Sequence, residues 1–242
     1  MRYQTDSRKI KPGQIFVAIK GHTVDGHDYI QNAIKNGASK VIAEHKVNCD
    51  IPLEVVPNTE EYLREALKNE YANEINKLKI IGLTGTNGKT TTAYLTYQLL
   101  NLFNEKSAYI GTIGFKAPND EIETENTTPD TLTIYSLLLH AIEIGCKTVV
   151  MEVSSHALSF ERIYGLHIDI AAFTNLTEDH LDYHKTMENY LKAKLKIFDY
   201  MNESGKLIVN NDDNASKAFV NKFGSGIKLG YNNNENDYNI LN

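Results

Sequence analysis

Two cysteines, no long apolar run and no basic excess bound what this 242-residue chain does. Cys49 and Cys146 stand far apart and without metal-type spacing, so both read as free thiols in a reducing compartment. No apolar stretch approaches the roughly 18 residues needed to cross a bilayer. The start, Met1-Arg2-Tyr3-Gln4-Thr5, lacks the apolar core of a secretory signal. The net charge is −6 and no basic stripe runs through the chain, which argues against DNA or RNA as partner. A nucleotide needs only a local site and stays open. These absences together lead us to expect a cytoplasmic protein.

What is present is ordinary for a globular fold: 41% hydrophobic and 23% charged residues. The length suits one or two domains. A chain of this size buries roughly 70–75% of its unfolded surface, enough for a substantial core. Residues 1–57 read as a small α/β unit. Strands are expected at 15–19, 40–43 and 53–56, with a helix over 29–35 that ends at Gly37. A further helix over 58–76 is capped by Asn58 or Thr59, with Glu60 and Glu61 placed well for the helix dipole. We expect an N-terminal domain over 1–76 and a second over 77–242.

The second part opens with a strand at 79–84. A glycine-rich turn and a helix over 90–102 follow. Strands are expected at 147–153, 168–173 and 206–210, and a long helix over 187–201. The alternation predicts a doubly wound α/β domain. The Asn-rich tail at 231–237 has no closing helix, so the domain is expected to be incomplete.

The sharpest motif is Thr84-Gly85-Thr86-Asn87-Gly88-Lys89-Thr90-Thr91. It follows an apolar strand and opens a helix, the context of a phosphate-binding loop. Its glycines let backbone N–H groups face phosphate oxygens, and the helix N-terminus adds a favourable dipole. Lys89 would reach the β- and γ-phosphates of ATP, and the Thr90 hydroxyl would meet Mg²⁺. The general pattern wants glycine where Leu83 stands, so the loop is a variant.

Two strand ends carry further chemistry. Glu152 closes an apolar strand and precedes Val153-Ser154-Ser155-His156. A carboxylate there either points into the ligand crevice to hold Mg²⁺ or serves as a cap or ion-pair partner. The segment Thr174-Asn175-Leu176-Thr177-Glu178-Asp179-His180-Leu181-Asp182-Tyr183-His184 follows another strand and is too dense in polar groups for a plain connection.

These motifs together resemble the Mur ligases. Gly85-Thr86-Asn87-Gly88-Lys89-Thr90-Thr91 resembles their ATP loop. Met151-Glu152-Val153-Ser154-Ser155-His156-Ala157-Leu158, Asp179-His180-Leu181-Asp182-Tyr183-His184 and Asn126-Thr127-Thr128-Pro129-Asp130 are similar to the branch that adds the third peptide residue to UDP-MurNAc-L-Ala-D-Glu. So are Asp6-Ser7-Arg8 and Gly21-His22-Thr23-Val24-Asp25-Gly26. The resemblance implies a small N-terminal α/β domain for the uridine diphosphate and a P-loop central domain for ATP. The family's C-terminal Rossmann-like domain, which selects the amino acid, is expected to be absent from this chain.

It also implies site residues. Thr5, Ser7, His22, Thr23 and Val24 would touch the uridine end. Asn126, Thr127, Thr128, Ser154 and Arg162 would hold the UDP-sugar-dipeptide. The family often has Gln where Phe160 stands, which removes one expected hydrogen bond. Lys89, Glu152, His180 and Lys194 would be the catalytic set. Thr90, Glu152, His180 and Lys194 would meet Mg²⁺, with two ions expected. Lys194 matches a carbamylated lysine of the family; without the resemblance it reads as a solvated lysine between Lys192 and Lys196. The implied chemistry is ATP-driven amide formation through an acyl phosphate, in peptidoglycan synthesis, with a lysine- or diaminopimelate-type amino acid and a monomeric enzyme. The other readings are a folylpolyglutamate synthase-like ligase, a non-catalytic nucleotide-binding fragment, and a generic P-loop kinase, which leaves the first 60 residues unexplained.

Overall fold

The computed structural model describes residues 1–21, 24–231 and 234–240. The chain divides into two compact units, Met1–Ala72 and Asn73–Asn242. Among the described residues no helix is long and apolar enough to cross a membrane.

The first unit is built on four parallel strands in the order β1-β2-β3-β4: β1 (Tyr3–Gln4), β2 (Ile15–Val17), β3 (Lys40–Ala43) and β4 (Leu53–Val55). Ile15, Phe16 and Val17 are all buried, the continuous apolar run that a covered parallel strand requires. Helix α1 (Ile30–Lys35) buries Ile30 and Ala33 in a cluster with Phe16, Val41 and Ala43. Helix α2 (Thr59–Ile75) starts with the Asn58 side chain accepting from Glu61 N–H at 2.9 Å. Thr59 is buried and donates instead to Ala18 O at 2.8 Å, fastening the helix to the end of the sheet.

The second unit is a nine-stranded sheet. In chain order its elements begin with β5 (Lys79–Thr84), α3 (Lys89–Leu102), β6 (Ser107–Gly111), β7 (Gly114–Ala117), β8 (Asp120–Ile122) and α4 (Thr131–Glu143). There follow β9 (Thr148–Glu152), α5 (Ser155–Ser159), β10 (Ile168–Phe173), α6 (Leu181–His184), α7 (Met187–Leu195), β11 (Met201–Asn210), α8 (Ser216–Phe223), β12 (Ile227–Tyr231) and β13 (Tyr238–Ile240). The spatial order is β13-β12-β11-β10-β5-β9-β6-β7-β8, parallel except for the antiparallel β7 and β8 at one edge. The chain leaves β5 toward β6 on one side and later returns to β10 on the other. Such a reversal opens a crevice beyond the carboxyl ends of the central strands. Thr84, Glu152 and Phe173 end the three strands β5, β9 and β10.

Two elements differ from the expectation. The long helix over 187–201 is instead α7, ending at Leu195, followed by a 3₁₀ turn Lys196–Tyr200 and then strand. Met201 must pair with Ile168, and the tighter turn brings the chain onto the sheet in time. The strand expected at 206–210 accordingly begins earlier, at Met201. Cys49 and Cys146 are both free.

Candidate functional site

The loop between β5 and α3 is shaped by the segment that follows β10. Thr86 N–H donates to Asn175 O at 2.8 Å. Asn175 then grips the next residue from both sides: Asn87 N–H donates to its Oδ1 at 2.9 Å, and its Nδ2 donates to Asn87 O at 3.1 Å. Thr174 Oγ1 also donates to Asn87 O, at 2.7 Å. Gly85 has φ +146, and a Cβ there would collide with Thr174 Oγ1. Gly88, at φ +81, is the left-handed residue that turns the chain into α3. The amides of Thr86 and Asn87 are therefore already used, which directs any anion to the first turn of the 14-residue α3.

Two lysines converge on the loop. Lys89 Nζ donates to Gly85 O at 3.0 Å and Thr86 O at 2.8 Å. Lys194 Nζ, from α7, donates to the same Gly85 O at 2.7 Å and lies 4.2 Å from the centre of the Tyr190 ring. Burial draws Lys89 below its ordinary value, opposed by Glu152 and Asp179. Lys194 is 1% exposed, and burial, then the charge of Lys89, lower it to about 7. It is not the solvated helix lysine that its neighbours Lys192 and Lys196 suggest. Its amine is half neutral near pH 7, roughly, where an ordinary lysine is fully charged.

Glu152 is fully buried at the end of β9. Its Oε1 accepts from the Tyr109 hydroxyl and, at 2.9 Å, from Thr112 N–H. Its Oε2 accepts from Thr90 Oγ1 at 2.9 Å and Thr112 Oγ1 at 3.3 Å. Glu152 is thus neither a helix cap nor an ion-pair partner among the described residues. A carboxylate oxygen beside a threonine hydroxyl is the hard donor set that suits Mg²⁺. The residues present fit the ion. His180 adopts φ 53 at the start of α6, and its ring lies 4.9 Å from that of His156 and 6.2 Å from that of Tyr190. Among the described residues no three His, Cys, Asp or Glu side chains gather as a metal-binding group.

A second network stands beside the first. Thr112 Oγ1 and Thr127 Oγ1 are 3.0 Å apart. Thr128 is buried; its hydroxyl donates to Glu152 O at 2.9 Å and accepts from Ser154 N–H at 3.0 Å. Arg162 donates to Thr128 O at 2.8 Å, and Ser154 Oγ caps α5 by accepting from Ala157 N–H at 3.1 Å. Phe160 lies against His156, Tyr183 and the Arg162 guanidinium, whose carbon is 5.8 Å from the ring centre. Thr127, Thr128, Ser154 and Arg162 are so brought into one network with Glu152, while Asn126 is exposed and its carbonyl accepts from Thr124 Oγ1 at 3.4 Å. Thr5, Ser7 and Val24 belong to the first unit: Ser7 is buried and Val24 is 53% exposed. His22 and Thr23 lie outside the described residues.

Residues 83–241 match the Mur ligase middle domain, and residues 2–81 match the Mur ligase family, catalytic domain. The chain belongs to the Mur ligase family. Its similarity to the UDP-N-acetylmuramoyl-L-alanyl-D-glutamate--2,6-diaminopimelate ligase of Bacillus cereus is 42% identity over 90% of this chain and 45% of that protein. The counterpart from Phocaeicola vulgatus is 44% identical over 86% of this chain and 44% of its own length. A solved structure of a ligase of the same name superposes with a TM-score of 0.78 at 30% identity, over 98% of this chain and 50% of that one. The chain thus spans about half the length of the curated relatives it matches. Within this Mur ligase chain, Tyr109 and Thr112 join the candidate site through Glu152 without belonging to any of the sequence motifs, and the polar segment after β10 joins it through Asn175. Tyr109 carries no local signal, being one aromatic residue in a buried strand.

Proposed function

We propose that this chain carries the uridine-diphosphate-binding and ATP-binding parts of a ligase that adds the third amino acid to UDP-MurNAc-L-Ala-D-Glu. Residues 1–76 hold the uridine end through Thr5, Ser7, His22, Thr23 and Val24; residues 77–242 hold ATP. The names of the 40–44% identical relatives support diaminopimelate as the amino acid. The reading places the enzyme in the cytoplasm, as a monomer, in peptidoglycan synthesis.

The observation that carries the reading is the meeting of Lys89, Thr90 and buried Glu152 at the mouth of one loop, with a half-neutral Lys194 beside them. Lys89 and the first turn of α3 bind the phosphates of ATP and orient the terminal phosphoryl group. The D-Glu side-chain carboxylate attacks that group, ADP leaves, and an acyl phosphate results. The amine of the incoming amino acid then displaces phosphate and gives up a proton. Such transfers depend on positioning and charge neutralisation, so no protein nucleophile is required. Thr90 and Glu152 would hold Mg²⁺, which neutralises phosphate charge when bound. His180 would be a further ligand.

A neutral amine adds CO₂ and releases one proton to become a carbamate. Burial keeps Lys194 in the state that this needs. The product is a carboxylate, which would supply a further hard oxygen donor for Mg²⁺. Asn126, Thr127, Thr128, Ser154 and Arg162 receive the sugar-dipeptide.

The folylpolyglutamate alternative has a fold likeness only, at 12% identity. Calorimetric titration with UDP-MurNAc-L-Ala-D-Glu, UDP and a folate, each with Mg²⁺ and a non-hydrolysable ATP analogue, separates the readings. The reading requires the muramoyl dipeptide to bind more tightly than UDP, and folate not at all. Folate binding without precursor binding would overturn it.

A further inference from the structure

Glu152 is held asymmetrically. Oε1 receives two donors, the Tyr109 hydroxyl and Thr112 N–H, which fill its lone pairs. Both donors are fixed by the sheet, since Tyr109 is fully buried on β6 and Thr112 follows directly after it. Among the described residues, Oε2 receives only the hydroxyls of Thr90 and Thr112, which can rotate away. Thr112 Oγ1 has other partners ready, Thr90 Oγ1 at 3.2 Å and Thr127 Oγ1 at 3.0 Å.

The space for this arrangement is built in. Gly111 lies between the two groups, and a Cβ on it would collide with both Glu152 Oε1 and the Tyr109 ring and hydroxyl. Tyr94 of α3 meets the Tyr109 ring edge-on at 5.6 Å and 86°. The phenol is therefore held from the helix that follows the phosphate loop.

We propose that Tyr109 is a positioning residue that makes the Mg²⁺ site selective: by occupying Oε1 it leaves Glu152 one oxygen to offer a cation. This rests on the reading of Glu152 as a Mg²⁺ ligand given above. Mg²⁺ takes single oxygens in a strict six-fold arrangement, whereas Ca²⁺ accepts both oxygens of one carboxylate and more ligands in all. A carboxylate with one oxygen closed off favours the smaller ion. Nothing in the loop motif requires a tyrosine at 109, and a phenylalanine would fill the same volume without closing Oε1.

The test is calorimetric binding of ADP to the whole chain at a series of Mg²⁺ or Ca²⁺ concentrations, for the unmodified chain, Tyr109→Phe and Glu152→Gln. For the unmodified chain, less Mg²⁺ than Ca²⁺ should give half-maximal ADP binding. Tyr109→Phe should narrow that preference roughly tenfold, with Ca²⁺ gaining relative to Mg²⁺, the scale of one hydrogen bond to a charged group. Glu152→Gln should weaken the dependence on both ions. An unchanged Ca²⁺-to-Mg²⁺ ratio in Tyr109→Phe, with Glu152→Gln impaired, overturns the role of Tyr109 alone. No effect of Glu152→Gln overturns the metal-site reading itself, and the proposal with it. Should Tyr109→Phe fail to fold, infrared spectroscopy of the unmodified chain decides, with the Glu152 carboxylate band assigned by its absence in Glu152→Gln. Mg²⁺·ADP should widen the separation of the antisymmetric and symmetric stretches, as one-oxygen coordination does; a narrowed separation refutes the proposal.

Discussion

Replacing Lys194 by Met should stabilise the protein at low pH and not at high pH. Lys194 is 1% exposed and its amine is lowered from the ordinary 10.5 to about 7, chiefly by burial and then by Lys89. At about 1.36 kcal/mol per pH unit, that difference is about 5 kcal/mol. The sign follows from which state holds the proton. Below about pH 7 both folded and unfolded chains carry it, and the folded chain bears the full cost of a buried charge. Between about 7 and 10.5 the unfolded chain keeps a proton that the folded chain has released, so stability rises with pH. Above that window the cost is gone. Lys194→Met removes the cost but leaves Gly85 O without this donor, a loss of about 1 kcal/mol. The variant should therefore be about 4 kcal/mol more stable than the unmodified chain at about pH 6, and about 1 kcal/mol less stable near pH 10.5. Urea unfolding from pH 6 to 10.5 in CO₂-free buffer reads this directly, since CO₂ would trap the neutral amine. A stability difference that does not change with pH would refute the account of Lys194 as a lysine kept half neutral by burial.

Three further outcomes follow from the same geometry. Asn175→Ala removes two hydrogen bonds to Asn87, so ADP binding measured calorimetrically should weaken roughly thirtyfold, with Asn175→Asp intermediate because it keeps the acceptor. Gly111→Ala drives a methyl group into Glu152 and Tyr109 and should cost about 2–3 kcal/mol, read as a fall in melting temperature of roughly 5–10 °C. Thr128→Val keeps the shape but strands Ser154 N–H and Glu152 O, and should lower unfolding free energy by about 1–3 kcal/mol in a urea titration.

The parts legible in the sequence were those with strong local chemistry. Lys79–Thr84 and the Gly-Lys-Thr turn announced a strand, a loop and a helix because an apolar run, glycines and a helix start coincide there. Between residues 107 and 143 the motif at 126–130 stands out, but the elements around it, β6 to β8 and α4, do not. Their hairpin, β7 and β8, pairs at a sheet edge through residues such as Lys116 and Glu121 with weak alternation. The next helix, α4, is buried on most of its surface, from Leu132 and Ile134 to Leu138 and Ala141, and so lacks a polar face to give the 3.6-residue period. The helix over 187–201 failed at its end because 3₁₀ and strand geometry were imposed by pairing with β10. The burial of Lys194 was readable after all. Tyr190, Ala193, Lys194 and Ile197 recur at the spacing of one helix face, and three of the four are apolar or aromatic. The grip of Asn175 on Asn87 joins residues 88 positions apart, which no local pattern contains.

The central claim is that the loop at β5 and α3, with Lys89 as its cation, is a nucleotide site. Calorimetric titration of the chain with a non-hydrolysable ATP analogue in Mg²⁺, beside Lys89→Met, tests it most directly. Lys89 is half-buried and holds the carbonyls of Gly85 and Thr86, poised at the helix start. The account predicts saturable binding by the unmodified chain and a loss of roughly 10- to 100-fold in Lys89→Met, with the fold of the variant intact by circular dichroism. Equal binding by the two folded proteins would contradict it.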